Sequence, residues 1–546
     1  MPIRALLLCA LTAWALAGPA VAQAGPPDVV VIVADDLGFG DVGYNGSEIQ
    51  TPEIDRLAAE GVVLDRFYTS PLCSPSRAGL LTGRYGVRMG INEPVTQADT
   101  VGLPQVEETL AELLQGAGYQ TAMVGKWHLG DDCPFHPELH GFDSFLGMLG
   151  GGASYFTRQT QTGLDWWRGV APVDTGGYTT DLIADEAVEV LARPRDGPLL
   201  LYLPFTAPHS PLQALDRDLA LYPGLEGERR TFAAMTTALD RAVGRVMAAV
   251  RASGRPTLVW FLSDNGAVES LGGDNGPLRG QKGQAYEGAI RVPSVVWYPA
   301  WGSRRVEHPV WVYDVLPTVL GLVPDAPAPA LPLDGADQGP QLAGAPATPL
   351  VLDRLLYSYR RTGADGYWLG VQTAEDKYVE HGLSNGTIRD FYRVRLDPTE
   401  RADSLRHYLG RAEDLRQAGL AFAALTRPGA SSDVSLTVSR APDLAECPGL
   451  LSTPTAPGAA PLGLTVGPNP FSTAATVRVT SPTGRRVVVD LLDVAGRRVR
   501  TLFEGSVPAG AERVVRLGRG GLPSGLYVVR ASGGGATATR SVVLAR

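Results

Sequence analysis

The chain has no basic surplus: across its 546 residues 48 Lys and Arg stand against 57 Asp and Glu, a formal net charge of −9. That balance argues against nucleic acid as a partner. Past the first 22 residues no apolar run reaches the ~20 residues that a membrane-spanning helix needs. Once a leader is removed, an even cysteine count is also missing. Of four cysteines, Cys9 lies in a stretch that reads as an export leader, with Arg4 supplying charge, an apolar run over 5–16 and a small-residue cleavage site at Ala20-Val21-Ala22. Residues 1–22 are therefore set aside from the fold. Cys73, Cys133 and Cys447 remain, and an oxidising compartment that pairs cysteines leaves one thiol over. Cys133 and Cys447 can pair if their Cα atoms come close enough, which the sequence does not fix. Cys73 is then the thiol that calls for a reason.

What is present describes a soluble, mildly acidic protein, 44% hydrophobic and 19% charged, rather than a disordered chain. Its length exceeds the ~250–300 residues at which one core stops growing, so at least two domains are expected. Four short apolar runs, 28–34 (DVVVIVA), 121–124 (TAMV), 198–205 (PLLLYLPF) and 256–263 (PTLVWFLS), read as strands covered on both faces. Helical patterns at 52–60, 107–115, 178–191 and 232–252 alternate with them, which indicates an α/β domain with a mostly parallel sheet. Each run leads into polar residues: Asp35-Asp36, Lys126-Trp127-His128, Pro208-His209 and Asp264-Asn265. These sit just past strand carboxyl ends, the edge at which open α/β sheets bind ligands.

The pattern changes after residue 314. Short strands at 367–372, 377–380 and 391–395 and a helix at 412–425 read as a small α+β subdomain spanning 315–428. Residues 429–464 have the Pro, Gly, Ser, Ala and Thr content of a linker. Alternation at 476–480, 487–491 and 526–531 reads as a β-sandwich over 465–546, a segment that lacks Cys, His and Trp.

Asp35, Asp36, Asp264 and Asn265 offer only oxygen donors, which suit Ca²⁺, and after it Mg²⁺, better than zinc. In Cys73-Ser74-Pro75-Ser76-Arg77, Pro75 is placed to open a helix, so Cys73 should lie at a helix N-terminus with Arg77 about one turn along. Both features favour an anionic ligand or a lowered thiol pKa. His136 and His140 are four apart, but the intervening Pro137 marks a loop, and the pair reads as structural.

The full string from Cys73 to Arg84 resembles the sulfatase signature C-x-P-S-R-x-x-x-L-T-G-R at every fixed position. Gly118 to Gly130 matches that family's pattern around its paired Lys and His. Similar stretches recur at 35–41, 140–143, 207–209, 263–266 and 278–293, so the resemblance spans about 28–425 and looks closest to the arylsulfatase A and galactosamine-6-sulfatase branch. It implies an alkaline-phosphatase-like sandwich with a central mixed, mostly parallel sheet over 23–314. It implies that Cys73 is oxidised to formylglycine by a maturation enzyme. Asp35, Asp36, Asp264, Asn265 and the oxidised residue 73 would hold Ca²⁺, and Arg77 would orient the hydrated aldehyde. Lys126 and Lys282 would neutralise sulfate oxygens, His209 with Lys282 would protonate the departing alcohol, and His128 would take the proton that lets sulfate leave. The implied substrate is a sulfated small molecule or glycan. The loops after His209 and around 155–174, including Trp166-Trp167-Arg168, read equally as walls of its pocket or as ordinary packing.

Residues 465–546 resemble the sorting domain of the type IX secretion system, through Pro468-Asn469-Pro470-Phe471, Asp493 to Arg497 and Leu522 to Tyr527. The implied location is secreted or on the outer cell surface, reached through the periplasm. Rival readings are a phosphoester or phosphonate hydrolase of the same superfamily and a non-catalytic binder of sulfated glycans. The Cys-x-Pro-x-Arg string and the all-oxygen ligand set count against the first, and the intact catalytic positions against the second.

Overall fold

The structure is a computed structural model that describes residues 25–96, 101–324, 326–348, 354–362, 366–424, 462–467, 471, 473–492, 498–522, 525–533 and 536–544. The leader, nearly all of the linker, Cys447 and the motif pieces at 468–470, 493–497 and 523–524 lie outside them.

The continuous β-branched run Asp28–Ala34 has all seven residues buried, because it occupies the middle of a ten-stranded sheet. Leu199–Pro204 and Thr257–Ser263 flank it in parallel, with Val29 opposite Leu200 on one side and Leu258 on the other. Gln120–Lys126 and Ser144–Met148 extend the parallel run. Ser294–Trp297 pairs antiparallel on the far side, so the sheet is mixed. Alternation along Asp28–Ala34 sends Val29, Val31 and Val33 to one core and Val30, Ile32 and Ala34 to the other. Pro52–Glu60, Thr179–Ala192 and Gly227–Ser253 cover the second face. Cys73–Thr82, Leu110–Gly116 and Val315–Leu320 cover the first. Each buried valine or leucine contributes about 1.5–3 kcal/mol, so this sandwich is the rigid base on which the loops at the strand ends stand.

The helix expected over 107–115 begins later, at Leu110, because Thr109 caps it. The Thr109 hydroxyl accepts from Glu112 N at 3.1 Å and the Glu112 carboxylate accepts from Thr109 N at 2.8 Å. The helix expected from 232 starts at Gly227, one turn earlier. Val315, Leu316 and Val319, in the run expected to open the small subdomain, are buried in the sheet's own core.

Beyond that core four antiparallel strands, Leu356–Thr362, Gly366–Gln372, Lys377–Leu383 and Gly386–Tyr392, form a meander. The first was not legible in the sequence. The last replaces the strand expected over 391–395, since Leu383 pairs with Gly386 across a two-residue turn that fixes its start. Helix Leu409–Ala423 packs on the face carrying Leu369, Val371 and Phe391. The opposite face meets Ala285 and Tyr286 of the first domain. The C-terminal segment is a two-sheet sandwich with strand orders Gly463–Gly467, Ala474–Thr480, Glu512–Gly518 and Arg498–Val507, Arg485–Leu492, Gly525–Gly533, Ala536–Leu544. Val477, Val489, Leu491, Val529 and Val542 share its core.

Candidate functional site

The parallel register brings separate pieces of sequence to one point. Ala34 lies opposite Ser263, so the residues that follow each, Asp35-Asp36 and Asp264-Asn265, leave the sheet side by side. Asp36 turns back with φ 64°, a conformation Asp tolerates better than bulkier residues, and its N–H donates to Asp264 Oδ1 at 3.2 Å. Lys126 is the last residue of its strand, and its Nζ donates to Asp35 Oδ2 at 2.5 Å.

Helix Cys73–Thr82 is buried at every residue, and Cys73 opens it, as the position of Pro75 predicts. The remaining signature positions fix its pose. Ser74 Oγ donates to His128 O at 2.8 Å, and Ser76 Oγ donates to Ser70 O at 3.1 Å. A Cβ on Gly79 would stand 2.3 Å from the Tyr313 ring, so only glycine fits there. Cys73 Sγ ends 3.6 Å from Asp35 Oδ1, 4.0 Å from Asp36 Oδ1 and 3.2 Å from Lys282 Nζ.

Arg77 is fully buried and reaches three groups. Nε and an NH2 group donate to Asp264 Oδ2 at 3.0 and 2.8 Å, NH1 donates to Lys126 O at 2.9 Å, and Asp35 Oδ2 lies 3.6 Å away. Lys282 Nζ donates to Asp36 Oδ1, as does Asn265 Nδ2 at 2.7 Å. Histidine 209 Nε2 stands 3.7 Å from Asp36 Oδ2, and its Nδ1 sits 2.6 Å from the Ser210 carbonyl, which orients the ring. The His128 ring abuts Gly151, and its buried Nδ1 has no hydrogen-bond partner. All the singled-out residues, Asp35, Asp36, Cys73, Arg77, Lys126, His128, His209, Asp264, Asn265 and Lys282, therefore meet in one site.

Its electrostatics bear on one expectation. The helix N-terminus and Arg77 favour an anionic ligand or a lowered thiol pKa; for the thiol itself burial, reinforced by Asp264, decides instead and pushes it up to about 12. The unmodified residue is a neutral thiol at physiological pH. Burial and neighbouring Asp35 push Asp264 up to about 6. Burial also acts upward on Asp36, but Lys282 and His209 override it and hold that carboxyl well below the usual range. Burial and then Lys126 lower His209 to about 4, and His128 falls well below its ordinary value for the same reasons.

Three carboxylates crowded into a buried site, with Asn265 Oδ1 buried and unpartnered, fit a hard divalent cation. Ligand atoms of Asp35, Asp36, Cys73 and His209 all lie within 4.8 Å of one another.

Sequence reasoning missed the supports. Asn275 holds both sides of the loop carrying Lys282, accepting from Ala267 N at 2.9 Å and donating to Gly280 O at 3.1 Å. The Tyr202 hydroxyl lies against Arg77, and the Tyr155 hydroxyl donates to the Thr206 and His209 carbonyls. Tyr202, inside an apolar run, and Tyr155, in a loop, carry no local signal of these roles. Ser154 turns to Gln213, at 3.1 Å. Trp166 and Trp167 are buried packing residues rather than pocket walls, and Arg168 pairs with Glu186 at 2.7 Å. His136 bonds to backbone and His140 packs on Trp127, so the pair is structural. Cys133 is disulfide-bonded, its partner lying outside the described residues.

A sulfatase family model matches residues 27–326. Mouse arylsulfatase J is 37% identical over 329 residues, covering 57% of this chain and 55% of that protein. The chain thus spans just over half the length of that relative. Dog N-acetylgalactosamine-6-sulfatase is 33% identical over 386 residues, covering 65% of this chain and 72% of that protein. The structure of Ps i-CgsB in complex with k-i-k-neocarrahexaose superposes with a TM-score of 0.67 at 30% identity, over 74% of this chain and 94% of that one.

Proposed function

The chain belongs to the sulfatase family, and from that premise we propose that it hydrolyses aryl or carbohydrate sulfate esters using formylglycine made from Cys73. The observation that carries this reading is the placement of Cys73 Sγ among Asp35, Asp36 and Lys282 at the head of a buried helix. A thiol held neutral there is a poor nucleophile, and a sulfated thiol has no second hydroxyl with which to expel sulfate. The hydrated aldehyde supplies one hydroxyl to attack sulfur and a second whose deprotonation releases sulfate.

Asp35, Asp36, Asp264, Asn265 and residue 73 would hold Ca²⁺, which when bound polarises a sulfate oxygen and favours the ionised nucleophile. Before any cation binds, Asp35, Asp36 and Asp264 balance Arg77, Lys126 and Lys282 in charge, so a divalent ion makes the site net positive and receptive to a sulfate ester anion. Arg77, anchored by Asp264 and Lys126 O, fixes residue 73 from behind. Lys126 from a strand end and Lys282 from the loop after Thr257–Ser263 reach the centre and neutralise charge on the sulfate oxygens. Burial and then Lys126 depress His209, and the charge of a bound anionic ester offsets the second of these, so the ring takes a proton and Nε2 passes it to the departing alcohol. His128, held neutral, accepts the hydroxyl proton that lets sulfate leave.

The named relatives act on, or bind, both aryl and glycan classes, which supports a substrate drawn from those two. We also propose that residues 23–314 and 315–428 make one sulfatase unit, followed by a linker over 429–464. The leader at 1–22 and a type IX sorting sandwich at 465–546 would carry it through the periplasm to the cell surface. Support for the last comes from a sandwich with its own core and no Cys, His or Trp.

The test measures sulfate release from aryl sulfates and sulfated saccharides, with the mass of the residue-73 peptide read on the same preparation. Turnover by protein carrying formylglycine supports the reading, and fully modified, calcium-loaded protein inert on every ester overturns it.

A further inference from the structure

The C-terminal meander turns one face towards the catalytic domain, and successive rows of side chains on that face run from a buried seam to the surface. Directly paired residues of antiparallel strands project to the same side. The deepest row includes Lys377, fully buried against Glu287. The next pairs Ser358, Gly370, Val379 and Asp390. It closes the seam: Gly370 abuts Ala285, and Asp390 accepts from Tyr286 OH at 2.6 Å. The third row pairs Arg360 with Trp368, Trp368 with His381 and His381 with Ile388. It is where the face emerges, for Val379 is 1% exposed and Ile388 50%.

This third row has features beyond the seam, although Trp368 also meets Tyr286 edge-on, with ring centroids 5.4 Å apart. The Trp368 and His381 rings lie parallel, with centroids 3.8 Å apart and planes 9° apart, and both residues are only half-buried. Beside them Arg360 NH1 donates to Gly283 O at 3.2 Å, next to Lys282, whose ammonium touches Cys73 Sγ. Gly283 N in turn donates to Pro71 O at 2.9 Å. The Arg360 side chain keeps 30% of its surface in solvent and is 3.4 Å from Glu93. The row starts at the lip of the catalytic site and runs across two strand spacings, roughly 10 Å, away from it.

We propose that Arg360, Trp368 and His381 form a second sugar-binding subsite, holding the ring next to the sulfated one, so that the substrate is a sulfated oligosaccharide rather than an isolated aryl sulfate. The inference rests on the sulfatase reading of the adjoining site. Aromatic faces stack on the apolar C–H face of a pyranose, while a guanidinium fork pairs with a sulfate or carboxylate on that ring. Binding energy gathered there positions the reacting ester.

The experiment uses the full chain in two forms. Calorimetry with the non-turning-over Cys73→Ala protein compares sulfated oligosaccharides with their terminal sulfated monosaccharides. Kinetics with the active protein compares the same oligosaccharides with 4-nitrophenyl sulfate. Trp368→Ala is expected to weaken oligosaccharide binding and kcat/KM about tenfold while changing aryl-sulfate turnover less than about twofold, and Arg360→Gln, which also releases Gly283 beside Lys282, is expected to lower oligosaccharide kcat/KM several-fold more than aryl-sulfate kcat/KM. His381→Ala provides a second probe should Trp368→Ala fold poorly. Equal losses on both substrate types, unaltered oligosaccharide kinetics, or no preference for oligosaccharide over monosaccharide overturns the subsite. Oligosaccharide binding that depends on Trp368 in a fully modified protein unable to release sulfate would instead overturn the catalytic reading and leave the subsite standing.

Discussion

Asp264 carries two duties that different substitutions separate. Its Oδ2 accepts two hydrogen bonds from Arg77, at 3.0 and 2.8 Å, while its charge helps form the cation site. In Asp264→Ala the buried guanidinium keeps Lys126 O at 2.9 Å and Asp35 at 3.6 Å but loses its closest counter-charge. Removing one partner of a buried pair costs about 3–5 kcal/mol. Against a total stability of about 5–15 kcal/mol, that is enough to make the variant marginal. Asp264→Asn keeps an oxygen for Arg77. Exchanging the ion pair for hydrogen bonds charged on the Arg77 side alone costs less, about 1–2 kcal/mol. The assay is thermal unfolding with and without calcium, paired with turnover. A cation at a hundredfold excess over its Kd stabilises the native state by about 2.7 kcal/mol. Wild-type protein should show a shift of that kind, and Asp264→Asn should lose most of the shift and most turnover while remaining folded. Wild-type stability in Asp264→Ala would refute the account of Arg77. A full calcium shift with normal turnover in Asp264→Asn would refute the ligand role.

Cys73→Ala should abolish turnover with Tm preserved, and Cys73→Ser should retain sulfate on the serine, visible by mass spectrometry as an unreleased adduct. His209→Ala should slow hydrolysis of sugar sulfates by about 10²–10⁴-fold but affect aryl sulfates far less, because an acidic phenol leaves without protonation. Lys377→Met should lower the unfolding free energy by about 3–5 kcal/mol, since of its two partners, each 3.0 Å from Nζ, Glu400 would be left buried without its cation and Glu287 with Arg291 at 3.7 Å. Burial pushes Glu400 up to about 7, above its unfolded value of about 4.3, so its contribution is complete below about pH 4.3 and lost as pH rises to about 7. Glu400→Gln should flatten chemical-denaturation stability across that window. Deleting residues 465–546 should leave a folded, active enzyme that accumulates in the periplasm, and unchanged secretion would refute the sorting role.

The sheet and the site were legible to different depths for physical reasons. Runs such as 28–34 are apolar because both faces are covered, and the polar residues ending them mark the ligand edge, so the convergence of Asp35, Asp36, Lys126, His209 and Asp264 could be read in advance. The state of Cys73 could not. Its helix position argues for a low pKa, but burial dominates, and burial depends on Gly79 fitting under Tyr313, more than 200 residues away in sequence. Supports such as Asn275 and Tyr202 act through distant partners and leave no local pattern. Trp166 and Trp167 read equally as pocket walls or as packing because aromatic pairs line pockets and cores alike, and only the fold places them in the core.

The C-terminal meander was the least legible part, and its two faces explain why. One packs on helix Leu409–Ala423 through Leu369, Val371 and Phe391, an ordinary apolar seam that alternation can announce. The other is fitted to the segment bearing Lys282, and its contacts are charged: Lys377 bridges Glu287 and Glu400, while Arg360 holds Gly283 O. A buried lysine in a strand breaks the apolar pattern unless its acidic partners are already in place. Glu287 lies five residues after Lys282, and its second oxygen accepts from Tyr68 OH at 3.0 Å. The meander therefore grips the chain just past Lys282, at Gly283 and at Glu287. The ammonium can then stand 3.2 Å from Cys73 Sγ with little freedom to leave it.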